Sequence, residues 1–194
     1  MNDFISGQIK SSMEVNRSML ADGALINSIA QVAAAAVRAY RAGNKLLLAG
    51  NGGSAGDCQH IAGELVNRFR FDRPALPAIA LSTDSSVMTA IGNDSSFDEI
   101  FSRQVEALGS RGDMFIGIST SRNSTDVLRA LECCAKKGLI RVGMTGQGGG
   151  KMASLCDYFL SVPSRDTPRI QEAHIMIAHI FCDMVERSLF GKAP

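Results

Sequence analysis

The stretch LLAGNGGSAGD, residues 47–57, runs an apolar segment straight into a cluster of glycines. Leucines side by side with no polar alternation read as a strand buried on both faces. The glycines after it allow another group to approach the main chain closely. Ser54 is placed to cap the helix that follows, whose free N–H groups favour anions. Strand, glycine turn and helix make the first half of a βαβ unit, and the fold follows if the rest of the chain repeats it.

Working outward, apolar runs recur as KLLLA at 45–49, AIALS at 78–82, MFIGIS at 114–119, IRVGM at 140–144 and YFLSV at 158–162. Enough chain for a helix separates each from the next. The alternation predicts an α/β fold with five parallel strands and helices on both faces, a three-layer αβα sandwich. Two helices are expected ahead of the first strand, the second an alanine-rich segment over 25–42 that stops at Gly43. A long last helix is expected over about 168–190, with Pro168 in its first turn and Ile170, Ile177, Ile180, Phe181, Met184 and Val185 at helical spacing. No repeat, low-complexity tract or linker divides the chain, so we expect one domain over 1–194, with residues 1–43 a helical extension used in oligomerisation. In that extension Met13, Met19, Leu20, Ile26, Ile29 and Val32 suit either a bundle between subunits or the chain's own core.

Bulk properties narrow the function. With 20 basic and 19 acidic residues, a net charge of +1 leaves no broad footprint for nucleic acid or an anionic membrane, and a small discrete ligand is expected instead. The apolar runs are too short to span a bilayer, and MNDFISGQIK lacks the basic flank and apolar core of a secretion signal, so the expected compartment is the cytosol. Five cysteines, Cys58, Cys133, Cys134, Cys156 and Cys182, form no CxxC pair and read as reduced, mostly buried small hydrophobes.

In an open α/β sheet ligands bind beyond the carboxyl ends of the strands. Three loops there are chemically loaded: GNGGSAGD after the first strand, the hydroxyl-rich stretch Ser119, Thr120, Ser121, Arg122, Asn123, Ser124 after the third, and TGQGGG at 145–150 after the fourth. The first fits a loose dinucleotide fingerprint, but its ribose-binding acid would have to be a residue such as Asp84, beyond the usual spacing of about 20 residues, and the hydroxyl cluster would go unused. A sugar phosphate uses both loops. Glycine and serine also make tight turns without any ligand, so one such loop decides nothing, whereas two on one sheet edge favour a function.

The helix after Ser54 carries His60 and Glu64, four residues apart and therefore neighbours on one face. The last helix carries Gln171 and His179, within about 80° of each other around the axis but roughly 12 Å apart along it. Such a His, Glu, Gln, His set suits a borderline divalent ion such as zinc. Either histidine taken alone is more often a hydrogen-bonded core or surface residue than a metal ligand, and His174 on the same last helix is not separable from His179 by spacing. A carboxylate and an imidazole beside a sugar phosphate also supply the base and acid that moving a hydrogen between adjacent carbons requires, which casts Glu64 and His179 in those roles.

Together GNGGSAGDCQHIAGEL, LPAIALSTD, IGND, ISTS followed by Asn123 and Ser124, and RIQEAHIMIAHI resemble the phosphoheptose isomerases, members of the sugar isomerase (SIS) domain superfamily. The likeness covers nearly the whole chain from the second helix onward. It implies the SIS fold, conversion of sedoheptulose 7-phosphate to D-glycero-D-manno-heptose 7-phosphate on the way to activated heptoses of surface glycans such as lipopolysaccharide, and a homotetramer with active sites between subunits. By motif it implies zinc ligands at His60, Glu64, Gln171 and His179, with Glu64 as base and His179 as acid or proton relay. Substrate contacts would fall on Asn51, Gly52, Gly53, Glu64, Asn93, Asp94, Ser119, Thr120, Ser121, Ser124 and Gln171.

One position departs from that family's pattern, which reads ISTSGNS where this chain has Arg122. If the backbone there has positive φ, arginine is strained by about 1–2 kcal/mol; otherwise it adds a charge beside the phosphate. We read it as a solvent-pointing side chain. The alternatives to the isomerase are a non-catalytic relative that binds the replication initiator, or a sugar-phosphate sensor. The first has no use for the four residues His60, Glu64, Gln171 and His179, all present here. Arg68, Arg70 and Arg73 are expected on a solvated face, or against a ligand or a neighbouring subunit.

Overall fold

The computed structural model describes residues 1–191, so 192–194, the end of the expected domain, lie outside the described residues. Two helices come first, α1 (Asn2–Ala21) and α2 (Gly23–Arg41). Asp22 stands between them, and its carboxylate accepts from the N–H groups of Ala24 and Leu25, capping α2 where α1 stops. There follow β1 (Leu46–Gly50), α3 (Gly53–Val66), β2 (Ala78–Ala80), α4 (Ser85–Asp94), α5 (Ser102–Leu108), β3 (Met114–Ser119), α6 (Thr125–Lys137), β4 (Ile140–Thr145), β5 (Tyr158–Ser161) and α7 (Thr167–Phe190).

The five strands pair in parallel in the order β2-β1-β3-β4-β5. The chain enters at β1, steps out to β2, then crosses back over β1 to β3. Connections therefore leave β1 and β3 in opposite directions, the kind of switch point beyond whose carboxyl ends open α/β sheets bind ligands in a crevice. Alternation along β1 explains the layers: Leu46 and Leu48 join Ile29, Val32, Ile61, Leu65, Ile177 and Phe181 from α2, α3 and α7. Leu47 and Ala49 face the other way, toward Phe101, Val105, Val127 and Leu131 around α5 and α6. This is the expected three-layer sandwich.

Details differ from expectation. β1 lies one residue later and takes in Gly50. β2 is three residues long because the chain turns after Ala80, whose carbonyl accepts from both the N–H and the hydroxyl of Thr83. The apolar residues of the extension divide: Met19, Ile29 and Val32 are buried in the chain's own core, while Met13, Leu20 and Ile26 are exposed. α1 is tied down by Arg169 at the start of α7, which donates to the Gln8 carbonyl at 2.5 Å. No single helix among the described residues is long and apolar enough to cross a membrane. All five cysteines are free, and burial pushes the Cys58, Cys134 and Cys182 thiols up, as suits packing groups.

Candidate active site and metal centre

The glycines of the opening stretch have two separate reasons. Gly52 is the N-cap of α3 at φ 55°, ψ −121°, a conformation open to glycine. Gly53 begins the helix beneath the Gln171 amide, and a Cβ there would stand 2.4 Å from Gln171 Nε2. Bare backbone at this turn therefore lets α7 lay a side chain on the start of α3. Ser54 is not the cap: it lies inside α3, 3% exposed, because Gly52 already makes the turn. Asn51 donates to Asp126 Oδ2 at 2.8 Å, which ties the β1 loop to the first turn of α6 across the crevice.

On the β3 side three hydroxyls converge. Ser119 Oγ lies 2.8 Å from Ser124 Oγ and 3.1 Å from Ser121 Oγ, and Ser121 and Ser124 are 3.3 Å apart. Ser124 is the N-cap residue of α6, yet its hydroxyl does not cap the helix. The cluster therefore offers O–H donors at a helix N-terminus, the electrostatics that an anionic oxygen cluster needs. Arg122 within this loop has φ 69°, the one non-glycine residue with positive φ among those described. Its side chain does not point to solvent as expected: Nη1 donates to the Gln147 carbonyl at 2.5 Å, bridging to the loop after β4. That hydrogen bond, with the Arg122 N–H donating to the Ser119 carbonyl at 3.2 Å, ties the strained residue to its surroundings.

The third group forms between α3 and α7. His60 Nε2 and His179 Nε2 are 2.8 Å apart, and His60 Nε2 lies 3.3 Å from Glu64 Oε1. One potential ligand atom from each residue falls within 4.8 Å of the others. Two imidazole lone pairs cannot face each other at this range unless a proton or a cation sits between them. Two imidazole nitrogens and a carboxylate oxygen this close together are a donor set that could hold a metal ion. Phe69 covers His179 at 5.6 Å between ring centroids, and a cavity of about 300 Å³ opens beside it, lined by Phe69, Arg70, Met176, His179, Ile180 and Asp183. Asp57, one turn before His60, is pushed above the usual carboxylate range by burial, against the pull of His60.

Not every expected residue joins these groups. Gln171 lies over Gly53, eight residues and about 12 Å along α7 from His179. Asn93 and Asp94 sit exposed at the end of α4, with Asn93 donating to Asp94 Oδ1 at 2.8 Å. Among the described residues no hydrogen bond or ion pair links either to the crevice loops or to the histidines. His174 is separated from His179 decisively: it is fully buried, its Nε2 is 3.2 Å from the Thr145 carbonyl, and burial pushes its pKa down to about 4.

The arginine run also behaves differently from expectation. Arg68 pairs with Asp72 at the surface, whereas Arg73 is 1% exposed and pairs with the equally buried Glu186 at 3.0 Å. Burial works to raise the Glu186 carboxyl, but the N–H groups of Phe69 and Arg70 together with Arg73 outweigh it and hold the carboxyl below its ordinary range. The sequence did carry a signal for this: Glu186 adjoins Val185 on the apolar stripe of α7, and a carboxylate at such a position demands a cation.

The chain is similar along its length to proteins of known name. The SIS domain family matches residues 13–146. A phosphoheptose isomerase from Aneurinibacillus thermoaerophilus is 60% identical over 98% of this chain and 96% of its own. Solved phosphoheptose isomerases from Neisseria gonorrhoeae and Francisella tularensis superpose with TM-scores of 0.90 and 0.91 at 37% identity, each over 95% of this chain and 98% and 97% of theirs. With the fold, the crevice and the full-length identity in agreement, the chain belongs to the SIS domain family and, within it, to the phosphoheptose isomerases.

Proposed function

We propose that this protein converts sedoheptulose 7-phosphate to D-glycero-D-manno-heptose 7-phosphate through an enediol, supplying activated heptose for surface glycans such as lipopolysaccharide. The observation that carries the reading is the convergence of His60, Glu64 and His179, on the same molecule as the hydroxyl cluster of Ser119, Ser121 and Ser124. The relatives' shared name supports the substrate.

In this reading the phosphate lies against Ser119, Thr120, Ser121 and Ser124 at the start of α6. The carbon chain passes Asn51, Gly52 and Gly53, under the Gln171 amide, toward Glu64. Glu64 Oε1 faces His60, so we assign its other carboxylate oxygen to removing the C1 proton of the open-chain ketose. His179 protonates or relays a proton to the adjacent oxygen and assists ring opening. His60, Glu64 and His179 would hold a zinc ion, with Gln171 its fourth ligand after the side chain swings from Gly53. Such an ion, when bound, stabilises negative charge on the oxygens of the reacting carbons. Asn93 and Asp94 complete the substrate site in a cytoplasmic homotetramer with active sites between subunits. The exposed Phe4, Ile5, Ile9, Met13 and Leu20 on α1 support such an assembly.

The test is purified protein incubated with sedoheptulose 7-phosphate, with products followed by NMR before and after chelation and zinc reloading. Formation of the aldoheptose phosphate supports the reading. Binding without conversion under both conditions overturns it in favour of a sensor or adaptor.

A further inference from the structure

The last turn of α3 poses a physical problem. It carries Glu64, and as the end of a helix its carbonyls lack intrahelical donors and would fray. Arg73, seven residues beyond α3, meets these carbonyls from outside the helix: Nη2 donates to the Glu64 carbonyl at 2.8 Å, and Nη1 at 2.6 Å joins the Leu76 N–H at 3.1 Å on the Leu65 carbonyl. A cation at this end also meets the negative pole of the helix. The guanidinium is then fixed by Glu186, whose Oε1 accepts from Arg73 Nε at 3.0 Å and from the Phe69 N–H at 2.8 Å, while Oε2 accepts from the Arg70 N–H at 2.7 Å. Glu186 lies on α7 seven residues after His179, two turns along and about 20° around, so both face α3. The same carboxylate thus anchors the backbone of Phe69, whose ring covers His179.

We propose that the buried Arg73–Glu186 pair positions the reaction centre: it sets the register of the Glu64 turn against His60 and His179 and pins Phe69 over the His179 ring. The inference rests on the reading of Glu64 and His179 as base and acid. Stability alone does not account for the pair, because a buried ion pair replaced by well-packed apolar residues is often neutral or stabilising. What apolar residues do not supply is a donor pair aimed at two particular carbonyls. A displacement of about 1 Å in a catalytic group can cost about a hundredfold in rate.

The test compares wild type, Arg73→Lys and the double variant Arg73→Met/Glu186→Leu in kcat, KM, melting temperature and folded fraction. Glu64→Gln serves as the control. The double variant is expected to fold, with kcat per folded molecule down about a hundredfold and KM within about threefold, since the serine loop is untouched. Arg73→Lys keeps the charge but not the two-carbonyl grip, and is expected to recover part of the loss. A folded double variant with wild-type kcat overturns the proposal, as does a loss explained wholly by unfolded protein. Should the double variant not fold, Arg73→Lys decides alone: kcat down about tenfold at unchanged KM supports positioning, and wild-type kcat overturns it. A Glu64→Gln enzyme as fast as wild type means instead that the reading of Glu64 has failed, whatever the brace variants do.

Discussion

His174 carries a prediction whose size follows from its surroundings. Its ring is fully buried against the Thr145 carbonyl, Nδ1 has no partner, and burial pushes the pKa from an ordinary 6.5 to about 4. As pH falls below about 6.5 the unfolded chain takes up this proton before the folded one does. Stability is therefore full above that pH and is lost down to about pH 4, where the accumulated cost is about 3 kcal/mol at 1.36 kcal/mol per unit. His174→Leu is close to it in volume and does not titrate. It leaves the Thr145 carbonyl still bonded to the Val162 N–H at 2.9 Å, so stability at pH 7.5 should stay within about 1 kcal/mol of wild type. Urea unfolding at pH 7.5 and 4.5 reads both numbers. The variant should lack most of the wild type's acid-induced loss and keep wild-type turnover at neutral pH. An unchanged acid slope, or turnover lost as in a His179 variant, would refute the division of the histidines into one core residue and two site residues.

Three further outcomes are expected. At the strained position, Arg122→Gly should be more stable than Arg122→Ala by about 1 kcal/mol, or roughly 2–4 °C in melting temperature, because both lose the bond to Gln147 but only glycine relieves the positive φ. Ser121→Ala/Ser124→Ala should raise KM by about tenfold or more with kcat changed far less, measured by initial rates, since hydrogen bonds to a charged group contribute about 1.5–3 kcal/mol each. Zinc at about a hundredfold over its dissociation constant should stabilise wild type by about 2.7 kcal/mol in a melting experiment and leave His60→Ala/His179→Ala unmoved.

Much of this architecture is local chemistry and could be read from the chain. The run at 46–50 and its four counterparts need only their apolar side chains to declare strands, and His60 with Glu64 needs only one helical turn to become a pair. What escaped depends on packing between distant segments. His60 and His179, 119 residues apart, are grouped by the family resemblance and not by spacing, and they meet because α3 and α7 lie side by side with Gln171 level with Gly53 and His179 level with His60. That same alignment is why Gln171 does not reach the trio here. Arg73 and Glu186 are 113 residues apart, and nothing in RFDRP says which arginine turns inward. Ser54 was the natural capping residue by type, but a glycine that can take positive φ starts the helix two residues earlier. The positive φ at Arg122 was posed by the sequence as one of two alternatives, and only the backbone decides between them.

The central claim is that Glu64 moves a proton between two carbons of a sugar phosphate. The most direct measurement is sedoheptulose 7-phosphate turnover in D₂O followed by NMR, for wild type and Glu64→Gln. Wild type is expected to give aldoheptose 7-phosphate, with deuterium at C2 wherever the proton held by Glu64 exchanges with solvent before it is returned, and the variant neither conversion nor exchange. Conversion by Glu64→Gln at the wild-type rate, or a wild type that binds the sugar phosphate and leaves it unchanged, would contradict it.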